Sequence, residues 1–269
     1  MKDRKIGFMQ GRLVAPEDKK IQSFPWKNWK REFRIANEIG LGLIEWTIDR
    51  NKFFFNPINL KKGRNEINNL KKKYNIKLES VTADFFMQAP FFKKNLAKEL
   101  KILKTFIKNC GKLKIKYIVC PLVDNSSIKT ITEEQILVQE LLKLNSYISK
   151  YKVKILFEID YEPKKLLNFI EKFPQKNFGI NYDTGNSAGL GFNFSEEKIY
   201  FSKVKNIHIK DKRLNSISLK IGSGNYNFKK LIQYLKKINY KGNLIFQTAR
   251  DKDNIKMMRH NIKYLKKFF

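Results

Sequence analysis

Four polar residues stand near the ends of separate strand-like runs in the second half of the sequence. They are Glu158 in KILFEID, Asp183 in FGINYDTGN, His208 in VKNIHIKD and Gln247 in NLIFQTAR. The gaps between them are 25, 25 and 39 positions, each one strand–helix unit or slightly more. Two carboxylates, an imidazole and an amide oxygen suit a divalent ion of borderline-hard character: Mn²⁺ first, with Mg²⁺, Co²⁺ or Zn²⁺ as alternatives. The carboxylates balance the charge of the ion, and the neutral site that results still polarises a ligand carbonyl. Without a cysteine in the set, structural zinc is disfavoured. Taken singly, a strand-end Asp reads as a helix cap and His208 as a core histidine. Only the four together point to a metal, and they converge only in a closed or parallel sheet.

The elements that must position them alternate from end to end. Strand-like runs fall at Ile6–Gln10, Leu43–Trp46, Lys77–Ala83, Tyr117–Cys120, Lys154–Ile159, Phe178–Tyr182, Val204–Ile209 and Asn243–Gln247. Helical spacing of the i, i+3, i+4 kind fills 26–39, 57–73, 94–110, 132–150, 163–172, 195–202, 227–238 and 253–268. Eight strands alternating with eight helices predict a single (β/α)8 barrel over residues 1–269; a doubly wound open sheet is the alternative. Helix-to-strand joins are short, as in Gly40-Leu41-Gly42, whereas 11–25, 84–93, 184–194 and 210–226 are long strand-to-helix joins. In a barrel such loops gather at the C-terminal rim, where active sites are built.

Residue parity agrees. Ile155, Phe157 and Ile159 share one face of the fifth run, opposite Leu156 and Glu158. Asn181 and Asp183, Asn206 and His208, and Ile245 and Gln247 likewise oppose apolar partners. All four candidates therefore point into the barrel mouth.

Composition sets the limits. The 269 residues include 42% hydrophobic positions, enough for a large core, and no apolar run approaches the ~20 residues of a membrane span. The opening MKDRKIGFMQ lacks the apolar region of a signal peptide. Cys110 and Cys120 read as reduced core residues of a cytoplasmic protein. The net charge of +31 comes from lysine spread over nearly every helix beside abundant Asn, Ile and Phe. That is the bias of an AT-rich genome rather than a nucleic-acid patch, although it favours anionic substrates.

At these residues the sequence resembles the xylose isomerase-like barrels, the sugar-phosphate isomerase/epimerase group that also includes ketose 3-epimerases, inosose dehydratases and endonuclease IV. IGFMQGRL, FEID, NYDTGN, HIKD, GSGNYNF and the closing FQTAR carry the resemblance over essentially the full length. It implies metal ligands at Glu158, Asp183 and His208, with a fourth, normally glutamate, falling on Gln247. An amide can ligate but has no proton to exchange. Two-glutamate epimerisation then lacks one carrier, whereas a 1,2-isomerisation needs only one base. The expected function is a metal-dependent sugar or sugar-phosphate isomerase/epimerase, working through an enediolate stabilised by the ion with Glu158 as base. A dehydratase-type lyase, a DNA-repair nuclease (disfavoured by a content of two histidines) and a non-catalytic metal- or carbohydrate-binding relative are the alternatives. The expected partner is a small sugar, not nucleic acid or membrane, and homo-oligomers are compatible with the sequence.

Other rim groups complete the expected site. Glu45 and Asp84 end the second and third runs and would bind sugar hydroxyls, act as a second acid or cap helices. Lys210 and Asp211 follow His208, Asp211 being placed to orient a ligand by hydrogen bonding. Arg12, Arg213 and Arg250 would clamp a phosphate or carboxylate. Gly222-Ser223-Gly224 reads as a phosphate cradle or a plain turn, and Trp26 and Trp46 as sugar-stacking or core rings.

Overall fold

The computed structural model describes residues 6–17 and 22–269. The first five residues of the opening stretch and residues 18–21 of the 11–25 loop lie outside it. Among the described residues, eight parallel strands close into a barrel in sequence order. They are β1 (Ile6–Met9), β2 (Leu43–Thr47), β3 (Lys77–Thr82), β4 (Tyr117–Leu122), β5 (Lys154–Ile159), β6 (Phe178–Asp183), β7 (Val204–Ile209) and β8 (Asn243–Phe246). Closure, not an open doubly wound sheet, follows from β1 pairing with both β2 and β8.

The barrel interior has two layers of different chemistry. Met9, Leu43 and Ile245 form a small apolar floor, separate from the main core that packs strands against helices. Gly7 allows the closest approach there: a Cβ on it would lie 2.4 Å from Leu43 Cβ and 2.7 Å from Leu43 O. Above the floor the inward positions turn polar, with Glu45, Thr82, Glu158, Asn181, Asp183, Asn206 and His208 all buried. Two register shifts serve this layer. One falls between Ile44 and Glu45, and the other, between Ile180 and Asn181, sets Asn181 opposite Asn206 and Asp183 opposite His208.

Most helices lie where the apolar spacing places them, among them Trp29–Glu38, Lys61–Tyr74, Leu96–Lys112, Phe228–Lys237 and Asn254–Lys266. Three differences have local causes. The 132–150 stretch divides into Ile131–Lys143 and Asn145–Lys150. Asn177 Nδ2 meets the Asn145 carbonyl, Asn145 Oδ1 and Ser149 Oγ around that division. The 195–202 stretch is a short helix, Phe194–Glu197, followed by a 3-10 turn. Finally, the 184–194 loop contains a helix, Thr184–Leu190, whose N-cap is Asp183 itself.

Trp46 is a core ring, fully buried between Phe24 and Trp29, with its indole N–H donated to Asn56. It does not stack on a ligand. Cys110 and Cys120 are buried free thiols. No helix among the described residues is long and apolar enough to cross a membrane.

Candidate metal centre and active site

The strand-end cluster is built around His208. Its Nε2 lies 2.6 Å from Glu45 Oε1. A carboxylate only accepts, so Nε2 carries the hydrogen and Nδ1 faces the cluster. Nδ1 lies 2.9 Å from Glu158 Oε2 and 3.9 Å from Asp183 Oδ2. One ligand atom from each of Glu158, Asp183 and His208 falls within 4.8 Å of the others. That is close to twice the ~2.0–2.2 Å bond lengths of such ions.

Asp183 Oδ2 and Gln247 Oε1 are buried without a hydrogen-bond partner, as is Asn206 Oδ1, and His208 Nδ1 faces the Glu158 carboxylate at 2.9 Å. Orphaned buried acceptors are costly and rare. The first two belong to predicted ligands, and with the Glu158 carboxylate and His208 Nδ1 they make a donor set that fits a divalent cation. Burial pushes the Glu158 and Glu45 carboxyls up, but the facing His208 outweighs it and holds both below their ordinary range. Burial likewise pushes His208 down, yet Glu45 and Glu158 together raise it well above the usual imidazole value. The cluster is an anionic pocket that calls for a positive charge.

Five of the six residues of the NYDTGN stretch serve the site. Asp183 Oδ1 accepts from the Gly185 and Asn186 amides at 2.7 and 2.9 Å, capping the helix. Only Oδ2 is left for the cluster, so the residue is cap and candidate ligand at once. Thr184 Oγ1 donates to Lys210 O at 2.6 Å and accepts from Lys210 N at 2.9 Å, tying this helix to the end of β7. Asn186 Nδ2 donates to Glu158 Oε1 at 3.2 Å, while Asn181 Nδ2 donates to Glu158 Oε2 at 2.8 Å. Gly185 and Gly189 leave room for lysine stems, since a Cβ at 185 would meet Lys210 Cγ at 2.6 Å and one at 189 would meet Lys212 Cδ at 3.1 Å. Sequence reasoning singled out Asp183 alone. The Asn181 and Asn206 amides were visible as inward polar positions but given no role, and Asn186 was not noticed.

A cavity of about 230 Å³ opens above the cluster, its wall including Gln22, Asp84, Asp124, Glu158, Asn186, Lys210, Lys212 and Gln247. Four expected ligand-binding groups are elsewhere. Glu45 is fully buried beneath the cavity; Oε1 accepts from Thr82 at 2.7 Å and from His208, Oε2 from Asn206 at 2.9 Å. It orients the imidazole and has no oxygen left for a sugar hydroxyl. Arg213 is exposed in a turn off the cavity; Lys212 takes the place on the wall assigned to it. Arg12 and Arg250 are drawn into the β1 loop: Arg12 donates to Gln22 Oε1 at 3.2 Å and Arg250 to Val14 O at 3.1 Å.

Asp211 is the clearest correction. Its Oδ2 accepts from the Gly222 and Gly224 amides at 2.8 and 2.9 Å, and its Oδ1 from Tyr226 N at 3.2 Å. The supposed phosphate cradle is filled by the protein's own carboxylate. Asp211→Ala should cost about 1–3 kcal/mol of stability through orphaned amides and leave metal affinity unchanged. Denaturation and metal titration check this; weakened metal binding at wild-type stability would return Asp211 to a ligand-orienting role.

Fold and cluster together define a parallel (β/α)8 barrel with a carboxylate–imidazole centre at the C-terminal ends of β5 to β7. The family model described as xylose isomerase-like TIM barrel matches residues 33–268, and the chain belongs to this family. An uncharacterized protein of Methanocaldococcus jannaschii is 33% identical over 99 residues, a match spanning 35% of this chain and 33% of that relative. Among solved structures, the IolI protein with a zinc atom bound superposes with a TM-score of 0.75 at 17% identity, covering 98% of this chain and 99% of the other. The 3-keto-D-glucoside 4-epimerase of E. coli gives 0.74, also at 17% identity, with 98% and 99% covered. At such identities the likeness establishes the fold.

Proposed function

We propose that the chain is a metal-dependent sugar or sugar-phosphate isomerase/epimerase with Glu158 as the base. The observation that carries the reading is that one ligand atom from each of Glu158, Asp183 and His208 lies within 4.8 Å of the others, Asp183 Oδ2 being buried and unpartnered there, while Gln247, with an unpartnered Oε1, lines the cavity beside Glu158. These four residues would hold the ion, with Mn²⁺ the first candidate. When bound, the ion supplies Lewis-acid polarisation of a substrate carbonyl, which makes the neighbouring C–H acidic. Glu158 then removes that proton. Asn181 and Asn186 each donate to one of its oxygens, fixing the carboxylate plane for both tasks. Lys210 and Lys212, seated over the glycines of the Thr184–Leu190 helix, give the cavity wall two cations suited to an anionic sugar.

Gln247 is held in one orientation: its Nε2 donates to Gln22 Oε1 at 3.1 Å, so its carbonyl oxygen is turned away from Gln22. Loaded with Mn²⁺ in deuterated water, the protein should place deuterium next to the carbonyl of at least one member of a ketose and ketose-phosphate panel. No exchange across the panel would remove proton-transfer catalysis and leave a metal-binding relative. Gln247→Glu should lose the bond to Gln22 Oε1 and set a carboxylate against it. The structural signature is a Gln22 amide that turns over, seen in a crystal structure of the variant. An unchanged Gln22 would contradict the orientation argued above.

A further inference from the structure

The β2 loop holds Phe53, Phe54 and Phe55 in a single 3-10 turn. Phe53 is buried against Phe85 and Phe106, with ring centroids 5.2 and 5.8 Å away. Successive side chains of such a turn point about 120° apart, so seating the first ring turns the next two outward. Phe54 is 57% exposed and Phe55 71%. Their pedestal is fixed. Asn56, Pro57 and Ile58 are buried, and Asn56 Oδ1 accepts from Trp46 Nε1 at 3.0 Å and from Ile58 N at 3.2 Å. The two outer rings have no inward position without breaking these contacts.

A third aromatic ring joins them from the β1 loop. Trp26 is half-buried, packed edge-on to Phe24 at 4.8 Å, and is not on the cavity wall. Lys52 Nζ lies 5.7 Å from the Trp26 ring, which makes one surface of the two loops. The charge on this surface has a single sign. Residues 51–65 contain Lys52, Lys61, Lys62 and Arg64 and no acid. Arg64 is turned to the Ile58 carbonyl and to Asn109. The three lysines are exposed and form no ion pair among the described residues.

A lone exposed apolar side chain is ordinary, but two adjacent phenylalanines locked outward among lysines mark an interaction surface. A second copy of this chain is a poor match, because each copy carries a net charge of +31. Shallow aromatic anchors with a basic rim match an anionic lipid surface, on which a protein rests without spanning it.

We propose that the face formed by the β1 and β2 loops docks reversibly on anionic lipid. Phe54 and Phe55 enter the boundary between headgroups and acyl chains, Trp26 sits at headgroup level, and Lys52, Lys61 and Lys62 meet the lipid phosphates. The surface lies outside the cavity, so it stands independently of the chemistry proposed there. With two anchoring rings and a few lysines, the contact is weak and falls as salt rises.

The test mixes the full chain with phosphatidylcholine vesicles, and with vesicles of phosphatidylcholine and phosphatidylglycerol in equal parts, and separates bound protein by flotation. Wild-type protein should float with the anionic vesicles only. Phe54→Ser/Phe55→Ser removes two exposed rings and leaves every lysine in place. It should bind at least ~10-fold more weakly, a fraction of the effect of fully burying two phenylalanines. Trp26 is the partly exposed one of three tryptophans, Trp29 and Trp46 being buried. Brominated acyl chains should therefore quench it in bound protein. Equal binding by the double variant would leave only a general attraction of the lysine coat, and retention without quenching of Trp26 would put the contact on another face. Either result overturns the proposal, as does failure of wild-type protein to bind anionic vesicles. In that last case, self-association or single-stranded DNA binding that the double variant loses would reassign the face.

Discussion

Glu158→Gln should reduce solvent-deuterium exchange into a responsive sugar by ~10²–10⁴-fold, the range by which a positioned base accelerates proton transfer. The amide keeps an oxygen for an ion and nearly the same volume, so metal affinity should fall far less than exchange. The measurement pairs deuterium wash-in with Mn²⁺ titration of the same samples. Parallel loss of both would reduce Glu158 to a ligand, and retained exchange would refute it as base. The neighbours sharpen the contrast. Asn181 and Asn186 each donate to one Glu158 oxygen, and a glutamine has one acceptor for the two. Asn181→Leu or Asn186→Leu should therefore give smaller, separate losses, through a carboxylate less firmly oriented.

The second large effect lies beneath the cavity. Glu45→Ala should destabilise the fold by about 3–5 kcal/mol, the cost of removing one partner from a buried charged pair. His208 Nε2, Thr82 Oγ1 and Asn206 Nδ2 all address that carboxylate and would be left unpaired. Whatever protein still folds should bind metal about 10–100-fold more weakly, as expected when the group orienting a ligand histidine is lost. Chemical denaturation gives the first quantity and metal titration the second. Glu45→Gln, which keeps an acceptor for His208 while setting an amide N–H donor against the Asn206 donor or the reverse, should fall between alanine and wild type. Wild-type stability in Glu45→Ala would mean that the His208–Glu45 contact contributes nothing net to folding.

Much of this arrangement is legible in the sequence, for reasons that can be given residue by residue. Period-two alternation placed Glu158, Asp183, His208 and Gln247 on inward faces, and those faces converge because the strands close in order. Helix interiors follow their apolar spacing, whereas their breaks do not: the division near Leu144 involves Asn177, which is distant in sequence. Asp183 illustrates why single-residue readings compete. Cap and ligand look like alternatives on paper, but a carboxylate has two oxygens and the structure uses Oδ1 for one task, leaving Oδ2 for the other. Asp211 failed for the converse reason. Its proximity to His208 suggested the site, while the amides that bind it belong to a loop that returns eleven to fifteen residues later.

The sequence by itself determined the barrel, the inward parity of the four strand-end residues and the amide at 247. These are set by local periodicity and residue type, which act over a few positions. Only the tertiary structure decided which polar neighbours serve the site. Partner choice depends on where distant atoms meet. Glu45 meets His208 across 163 positions, and Gln247 meets Gln22 across 225. A buried polar atom is committed to whatever lies within ~3 Å of it, and that distance is a property of the closed barrel.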